Sequence, residues 1–204
     1  MTRRPVRIGI TGPIGCGKST VARWLGDRAG VVVIDADVVA RQVLAAGSRE
    51  VEAVYARFGD DLRLVDGELD RAALGRIVFS DADALKDLEA IVHPAVRPRI
   101  LAKLDQAAAQ GAPAVVIEAI KLVEGGLAAL CDEIWLVTCD PEVQLERLVG
   151  RGSAAEDAGE RIAAQGDPTT RLRPAATHVI DTNGTRDEVR ATVLERLEAA
   201  LPTA

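Results

Sequence analysis

A glycine-rich stretch that ends in Lys-Ser decides the fold of this 204-residue chain: Gly12-Pro13-Ile14-Gly15-Cys16-Gly17-Lys18-Ser19. The stretch matches the pattern G-x-x-x-x-G-K-[ST], and it follows an apolar run, residues 6–10, that is typical of a buried strand. A strand, this turn and a helix beginning at Lys18 would form a phosphate-binding loop, or P-loop. Its backbone N–H groups and the positive end of the helix attract a polyphosphate. The stretch therefore predicts a nucleoside triphosphate site, against the alternative of a plain glycine-rich turn.

The types and positions of the last two residues of the P-loop, Lys18 and Ser19, predict their roles. We expect Lys18 to reach the β and γ phosphates and Ser19 to hold Mg²⁺. The predicted ATP-binding residues of this stretch are Gly12, Pro13, Ile14, Gly15, Cys16, Gly17, Lys18, Ser19 and Thr20.

Composition and charge limit the classes of protein that fit. The chain is 48% hydrophobic, so it can bury one sizeable core, and its formal charge of −6 argues against a nucleic-acid or membrane-surface partner. Its three cysteines are odd in number and form no C-x-x-C pair, which predicts neither a disulfide framework nor a zinc site. We find no export signal and no run of transmembrane length. We therefore expect a cytoplasmic protein.

Short apolar segments alternate with helical patterns along the chain. The segments rich in β-branched residues predict five strands: 6–11, 31–34, 114–117, 133–137 and 178–180. Helical patterns fall between and after them, at 18–28, 37–46, 141–151 and 186–200. This alternation predicts an α/β fold with a doubly wound, five-stranded parallel sheet flanked by helices. Its ligands are expected at the carboxyl ends of the strands.

Two interruptions of the alternation suggest how one domain, residues 1–204, is organised. Helical patterns without a strand fill 47–112, which we expect to be an insertion that grips a second substrate, leaving a core of 1–46 and 113–204. The polar segment of about 152–170 predicts a mobile lid. Within the insertion, Pro94 is expected to end or kink a long helix at His93, a residue that in such a setting is usually structural.

Three acidic residues follow predicted strands, at the edge where the P-loop lies. Asp35 and Asp37 come at the end of the second strand, and Asp37 is our candidate base for an attacking hydroxyl; the alternative is a helix N-cap. Arg41, four residues later, would pair with Asp37 or a phosphate, or form a surface ion pair. Glu118 ends the third strand, where a carboxylate either touches Mg²⁺ through water or is structural.

Basic residues recur on the helix that leads into the predicted lid. Gln144, Arg147 and Arg151 follow one another at helical spacing, and Arg161 and Gln165 repeat that spacing farther on. Closed over a triphosphate, such guanidinium groups would neutralise charge during phosphoryl transfer. The alternative for each arginine is a solvent-facing side chain.

The motifs, taken in order, cover nearly the whole chain. They are Ile8 to Thr20, Asp35-Ala36-Asp37 with Arg41, Val92-His93-Pro94, the Gln144/Arg147 helix, Arg161 with Gln165, and Val179-Ile180-Asp181 with Asn183-Gly184. This ordered set resembles the dephospho-coenzyme A kinase family. The resemblance implies a P-loop kinase that, with Mg²⁺, transfers the γ-phosphoryl of ATP to the ribose 3′-hydroxyl of dephospho-coenzyme A, the last step of coenzyme A synthesis.

The resemblance also implies roles for site residues. The catalytic set would be Asp37 as base with Lys18 and Arg147, and the lid arginines would be Arg147, Arg151 and Arg161. The acceptor would meet the helical insertion, with substrate contacts expected from Asp37, Arg41, His93 and Lys121. Asn183 and Gly184 would lie near the adenine.

Three residues depart from the family pattern. Pro13 stands where glycine is frequent, and it offers no N–H to a phosphate. Lys121 lies in the segment 118–124, which differs from the family's usual Asp-x-Pro-Leu-Leu-x-Glu. It adds a cation that would touch an acceptor or nucleotide phosphate or lie on the surface. Cys16 replaces serine; because a helix N-terminus and Lys18 favour its thiolate, we expect its alkylation to inactivate the protein and ATP to protect it.

Two other functions stay open at this point. The same P-loop, base and lid suit a kinase for a nucleoside, a nucleotide or another small hydroxyl compound. A regulatory GTPase or ATPase switch is less compatible. Guanine recognition favours Asn-Lys-x-Asp, and the nearest string, at 102–105, lacks the asparagine.

Overall fold

Five parallel strands form one sheet in the computed structural model of the chain, which describes residues 4–201. The strands are β1 (Val6–Thr11), β2 (Val32–Asp35), β3 (Ala114–Glu118), β4 (Glu133–Thr138) and β5 (His178–Asp181). Their order across the sheet is β2-β3-β1-β4-β5, so strand β1 lies in the centre and the chain winds outward in both directions. The predicted fold class and all five strands are confirmed.

The composition of the strands explains why the sheet is covered on both faces. Strand β3 is buried along its whole length, and Ile8 and Ile10 of β1 are fully buried. Parallel strands with helices on both sides have this nearly continuous apolar character because neither face meets water. The register pairs Glu118 with Ile10 on one side and with Asp35 on the other, which brings two carboxylates to the carboxyl edge of the sheet.

Nine α-helices accompany the strands within residues 4–201. They are α1 (Lys18–Gly26), α2 (Ala36–Val43), α3 (Arg49–Phe58), α4 (Arg71–Ser80), α5 (Ala82–Ala109), α6 (Pro141–Val149), α7 (Ala155–Gln165), α8 (Pro168–Leu172) and α9 (Arg186–Ala200). The first and last of these, α1 and α9, pack against each other. Their buried Leu25 and Val193 belong to the same apolar cluster as Trp135 of β4. Within the described part of the chain, none of the helices combines the length and apolar character needed to cross a membrane.

The chain divides into two compact units. One comprises residues 4–35 and 104–201 of the described chain and contains the whole sheet. The other is Ala36–Lys103, which begins directly after β2 and is helical apart from one isolated pairing between Arg63 and Leu69. The predicted insertion of 47–112 overlaps this second unit over 47–103. Its boundaries and its role remain a prediction.

The structure decides three points about helices that the sequence left open or placed differently. Helix α5 does not end at His93 but continues through Pro94 and Pro98 to Ala109. A proline withholds one N–H from the helical ladder, and buried side chains on either side, such as Val96 and Ile100, stabilise the helical path. The predicted lid segment contains the helices α7 and α8. Helix α6 ends at Val149, so Arg151 lies beyond it.

Candidate active site

The P-loop joins β1 to α1, and three of its glycines have positive φ values. These are 144° at Gly12, 79° at Gly15 and 92° at Gly17, a region that side chains other than glycine rarely adopt. At Gly12 a Cβ would also lie 2.1 Å from the carbonyl oxygen of Val137 in β4. The loop therefore packs directly on the neighbouring strand, and its first position tolerates only glycine.

The Lys18 ammonium lies over the P-loop. Its Nζ donates hydrogen bonds to the carbonyl oxygens of Gly12 at 2.9 Å and Pro13 at 2.8 Å, and only 8% of the residue is exposed. Pro13, which has no N–H to offer a phosphate, therefore contributes its carbonyl oxygen to the position of the lysine. The arrangement keeps a positive charge at the mouth of the loop.

Side-chain oxygen atoms of Ser19, Glu118 and Asp35 lie at the carboxyl edge of the sheet, at the start of α1. The Ser19 hydroxyl donates to Glu118 Oε1 at 2.6 Å, and Asp35 lies beside Glu118 in the register of β2 and β3. Hydroxyl and carboxylate oxygens are the ligands that Mg²⁺ prefers, usually with substrate phosphates completing the set. Among residues 4–201 no cluster of three or more His, Cys, Asp or Glu could hold a metal by itself. The donor set thus fits Mg²⁺ shared with a nucleotide.

Helix α7 contacts the P-loop through its last residue. The backbone N–H of Ile14 donates to Gln165 Oε1 at 2.9 Å. Gln165 belongs to the predicted lid set, and this bond brings it to the loop that the lid was expected to cover.

A second link to the P-loop comes from the residue that follows β5. Arg147 donates through Nη1 to the Thr182 hydroxyl at 2.8 Å and through Nη2 to the Thr182 carbonyl at 2.6 Å. The Thr182 hydroxyl also lies 3.0 Å from the carbonyl oxygen of Cys16. Sequence reasoning missed Thr182. Its only signal was its place directly after a strand, between the two residues Asp181 and Asn183 that were quoted as motif.

The Cys16 side chain was expected to be open to alkylation, and that expectation was wrong. Cys16 is fully buried and belongs to the apolar cluster under the P-loop, with Cys139 packed against it. A hydrogen bond from the Cys139 thiol, and to a smaller extent the charge of Lys18, lower the pKa of Cys16 in spite of burial. The same thiol contact raises the pKa of Cys139. The thiolate tendency was thus predicted, but reagents do not reach the sulfur from solvent.

Three predicted substrate residues lie in the helical unit and are described there by themselves. Asp37 is exposed in the first turn of α2, which begins at Ala36, so the alternative of Asp37 as N-cap is wrong. Arg41 is exposed one turn later, and its carbonyl oxygen accepts a bond from Arg71 Nη2 at 3.1 Å. His93 is half-buried within α5.

The remaining predicted residues belong to the unit that holds the sheet. Lys121, Arg151 and Arg161 are exposed. The Asn183 side chain accepts a bond from the backbone N–H of Asp140 at 2.8 Å, which attaches the loop after β5 to the loop after β4. Gly184 is exposed in the same loop.

A P-loop, a serine-carboxylate edge and a five-stranded parallel sheet together define a P-loop nucleotide-binding protein of the α/β class. Shikimate kinases from Bacteroides thetaiotaomicron and Acinetobacter baumannii share this fold, with TM-scores of 0.52 and 0.53 at 15% and 16% identity. The chain belongs to the dephospho-CoA kinase family, whose sequence profile matches residues 6–188.

Individual relatives agree over almost the full chain. The chain is 44% identical to a dephospho-CoA kinase of Geobacter metallireducens, and the match covers 94% of this chain and 96% of the relative. It is similar to the crystal structure of TT1252 from Thermus thermophilus, with a TM-score of 0.83 and 35% identity over 98% of this chain and 100% of the other. The dephospho-CoA kinase from Campylobacter jejuni gives a TM-score of 0.69 and 26% identity over 94% and 95% of the two chains.

Proposed function

We propose that the protein transfers the γ-phosphoryl group of ATP to the ribose 3′-hydroxyl of dephospho-coenzyme A. The observation that carries the choice of acceptor is the continuous match of residues 6–188 to the dephospho-CoA kinase family. The phosphoryl-transfer chemistry is supported by the Ser19–Glu118 contact of 2.6 Å beside the P-loop. Kinases of this kind work mainly by positioning and electrostatic stabilisation, which a rigid loop on a sheet edge provides.

Each residue of the P-loop edge has a part in this proposal. Lys18 turns from the Gly12 and Pro13 carbonyl oxygens toward the β and γ phosphates and neutralises their charge. Ser19, with Glu118 and Asp35, would hold Mg²⁺. When bound, Mg²⁺ would offset negative charge on the phosphate oxygens. Arg147 stands beside the loop. Arg151, just before the lid segment, and Arg161, within it, would add positive charge.

Asp37 is proposed as the residue that orients or deprotonates the acceptor hydroxyl. Its carboxylate is exposed in the first turn of a helix that begins directly after β2. We assign the acceptor to the helical unit, with Arg41 and His93 among its contacts, and we assign a substrate phosphate to Lys121. Asn183 and Gly184 would border the adenine.

The cellular setting is part of the same proposal. Three cysteines, Cys16, Cys131 and Cys139, are present as thiols, which suits a reducing cytoplasm. The formal charge of −6 disfavours nucleic acid and anionic membrane surfaces as partners.

The decisive experiment measures ADP release from ATP·Mg²⁺ with a panel of acceptors. Dephospho-coenzyme A, nucleosides, nucleoside monophosphates, shikimate and no acceptor are compared, and mass spectrometry checks for the gain of one phosphoryl group. Selective turnover with dephospho-coenzyme A is the expected result. Turnover with another acceptor would keep the kinase chemistry and reject this acceptor, and acceptor-independent hydrolysis would favour the switch alternative.

The role of Asp37 is tested by Asp37→Asn. We expect kcat to fall by about 10² to 10⁴, the usual contribution of a positioned general base, while ATP affinity stays nearly unchanged. Steady-state kinetics and equilibrium ATP binding check the two parts. Asp83→Asn is the charge-matched control, because Asp83 is exposed on α5 and its carboxylate forms an ion pair with the exposed Lys86. A parallel loss of ATP binding in Asp37→Asn would contradict the assignment.

A further inference from the structure

Thr182, which the sequence motifs passed over, is a buried polar residue at the junction of three elements. It follows β5 directly and is 4% exposed. Its hydroxyl lies 3.0 Å from the Cys16 carbonyl oxygen in the P-loop and 3.0 Å from the Thr138 carbonyl oxygen at the end of β4. The same hydroxyl accepts a bond from Arg147 of helix α6. The Thr182 side chain thus contacts the P-loop, strand β4 and Arg147.

The chemistry of a hydroxyl decides how these bonds are shared. A threonine has one proton to donate and can accept at its lone pairs. The Thr138 carbonyl already accepts from the backbone N–H of Thr182 at 2.9 Å. If the Thr182 hydroxyl donates its proton to the Cys16 carbonyl oxygen, the carbonyl groups of Cys16 and Thr138 each accept a hydrogen bond. The Thr182 hydroxyl oxygen then accepts a hydrogen bond from Arg147. Buried polar groups are normally satisfied in this way.

Arg147 is fixed by the same residue. Its Nη1 and Nη2 bond the Thr182 hydroxyl at 2.8 Å and carbonyl at 2.6 Å, a two-pronged contact that sets the plane of the guanidinium. That plane lies near the P-loop, since Nη1 is 3.7 Å from the position that a Cβ at Gly17 would occupy. The charge of Arg147 also helps to lower the pKa of Cys16. The arginine is therefore held beside the start of α1, where a nucleotide's phosphates are expected.

The loop after Thr182 is also held at Asn183. The Asn183 side chain accepts from Asp140 N–H, and the Asn183 N–H donates to Asp181 Oδ1, each at 2.8 Å. Because these two bonds hold Asn183 in place, we expect a change at Thr182 to act on the P-loop and on Arg147.

We propose that Thr182 is a positioning residue of the nucleotide site: its hydroxyl fixes the Cys16 carbonyl of the P-loop and the Arg147 guanidinium in one arrangement. It couples the loop expected at the adenine to the loop expected at the phosphates. The inference rests on the proposed function only in taking the P-loop as the ATP site, and it is independent of the acceptor.

The test compares Thr182→Val, which removes the hydroxyl at similar volume, with Thr182→Ser, which keeps it. Calorimetry measures the Kd of the non-hydrolysable imido analogue of ATP with Mg²⁺, and steady-state assays measure KM for ATP and for the acceptor. Thr182→Val should weaken analogue binding and raise KM for ATP by about tenfold or more, as the loss of one hydrogen bond to a charged group implies. Thr182→Ser should stay close to wild type, and KM for the acceptor should not change.

Thr177→Val is the matched control. Thr177 precedes β5 as Thr182 follows it, and its hydroxyl bonds the backbone of Ile134 twice, at 3.0 Å each, near the start of β4 and not at the P-loop edge. This variant should lower thermal stability without a change in analogue binding. It distinguishes a loss of stability in β4 and β5 from a change in the position of nucleotide-binding residues.

A second comparison tests the link to Arg147. Arg147→Ala should weaken analogue binding, and Thr182→Val added to it should cause little further loss, because the two residues act as one unit. Unchanged binding in Thr182→Val, an equal loss in Thr177→Val, failure of Thr182→Ser to restore binding, or full additivity with Arg147→Ala would each overturn the proposal. If the wild-type protein binds the analogue but does not phosphorylate dephospho-coenzyme A, only the proposed acceptor fails.

Discussion

Gly9 shows how tightly β1 is packed. A Cβ at this position would lie 2.6 Å from Leu122 Cδ2 and 2.8 Å from Cys131 Sγ, and Leu122 is fully buried. Its φ is not in the left-handed region, so the requirement for glycine is one of space and not of backbone conformation. The pattern Ile-Gly-Ile before the P-loop is therefore a packing requirement of the strand.

Gly9→Ala should lower the free energy of unfolding by about 1–3 kcal/mol, the usual cost of overpacking a core. Chemical denaturation of the purified variant measures the change. Gly159→Ala is the control, because Gly159 lies in α7 with open space around its Cβ position. There alanine should stabilise by about 0.5–1 kcal/mol. Equal stability of Gly9→Ala and wild type would contradict the packing account.

The Cys131 thiol next to Gly9 makes the stability of the fold depend on pH. Burial raises the pKa of the Cys131 thiol to about 12 from its usual 9.0. Since the unfolded chain loses this proton first, the stability that the neutral thiol contributes is complete below pH 9.0 and is lost as the pH rises toward 12.

The residues of the P-loop were predictable because their pattern is local and its chemistry is fixed by spacing. Thr182 and the contact of Gln165 with Ile14 were not. Those bonds join positions 166 and 151 residues apart, and no periodicity in the chain encodes them. Cys16 was predicted as a thiolate-prone residue, but its burial depends on the apolar cluster assembled from distant segments.

The N-terminus of α9 is fixed by side-chain hydrogen bonds. Thr185 accepts from Glu188 N–H, and the Glu188 carboxylate accepts from the Thr185 N–H at 2.9 Å, which together form a capping box. These bonds satisfy donors that the first turn of a helix leaves without partners. Helix α9 packs on α1, which begins in the P-loop, so its attachment supports the site.

Thr185→Ala should reduce the free energy of unfolding by about 1 kcal/mol, the typical value of an N-cap. Denaturant titration provides the measurement. Thr192→Ala serves as the matched control, because Thr192 lies inside the same helix and its hydroxyl only donates back to the Glu188 carbonyl. Its effect should stay within about 0.5 kcal/mol. A cost at Thr192 as large as at Thr185 would speak against the cap.

The capping box is also sensitive to acid. Hydrogen bonds from Thr185 lower the pKa of Glu188 below its usual 4.5. The carboxylate therefore contributes stability above that value, and the contribution is lost as the pH falls through the lowered pKa. Thr185→Ala should flatten this part of the stability profile.

Helices with strong local signals were predicted nearly to their ends, as α9 was. The proline-containing α5 was expected to end or kink at His93, and it continues because tertiary burial of its side chains outweighs the local cost of Pro94 and Pro98. Helix α7 was missed because its sequence is rich in alanine and charged residues with only Ala158 buried, so it lacks an apolar stripe.

Nucleotide binding should raise the stability of the molecule as a whole. A ligand at 100 times its Kd that binds only the folded state adds about 2.7 kcal/mol, which corresponds to a rise in Tm of about 5–10 °C for a chain of this size. Thermal unfolding with ATP·Mg²⁺ measures the shift.

Two controls make the shift specific. Lys18→Met keeps the aliphatic stem but removes the ammonium that bonds Gly12 and Pro13, and it should abolish most of the rise in Tm. Chelation of Mg²⁺ in the wild-type protein should reduce the rise, since Ser19 and Glu118 then meet the phosphates without the cation. A full shift under both conditions would contradict a nucleotide site at the P-loop.

The central position of β1 has a consequence for how the protein is made on the ribosome. Val6 pairs with Ala114 and Ile8 with Glu133, so the strand leaves the exit tunnel long before either neighbour exists. Until β3 and β4 have been translated, both edges of β1 stay open to wrong partners. The nascent chain thus carries its phosphate loop without the neighbouring strands until β3 and β4 have been translated.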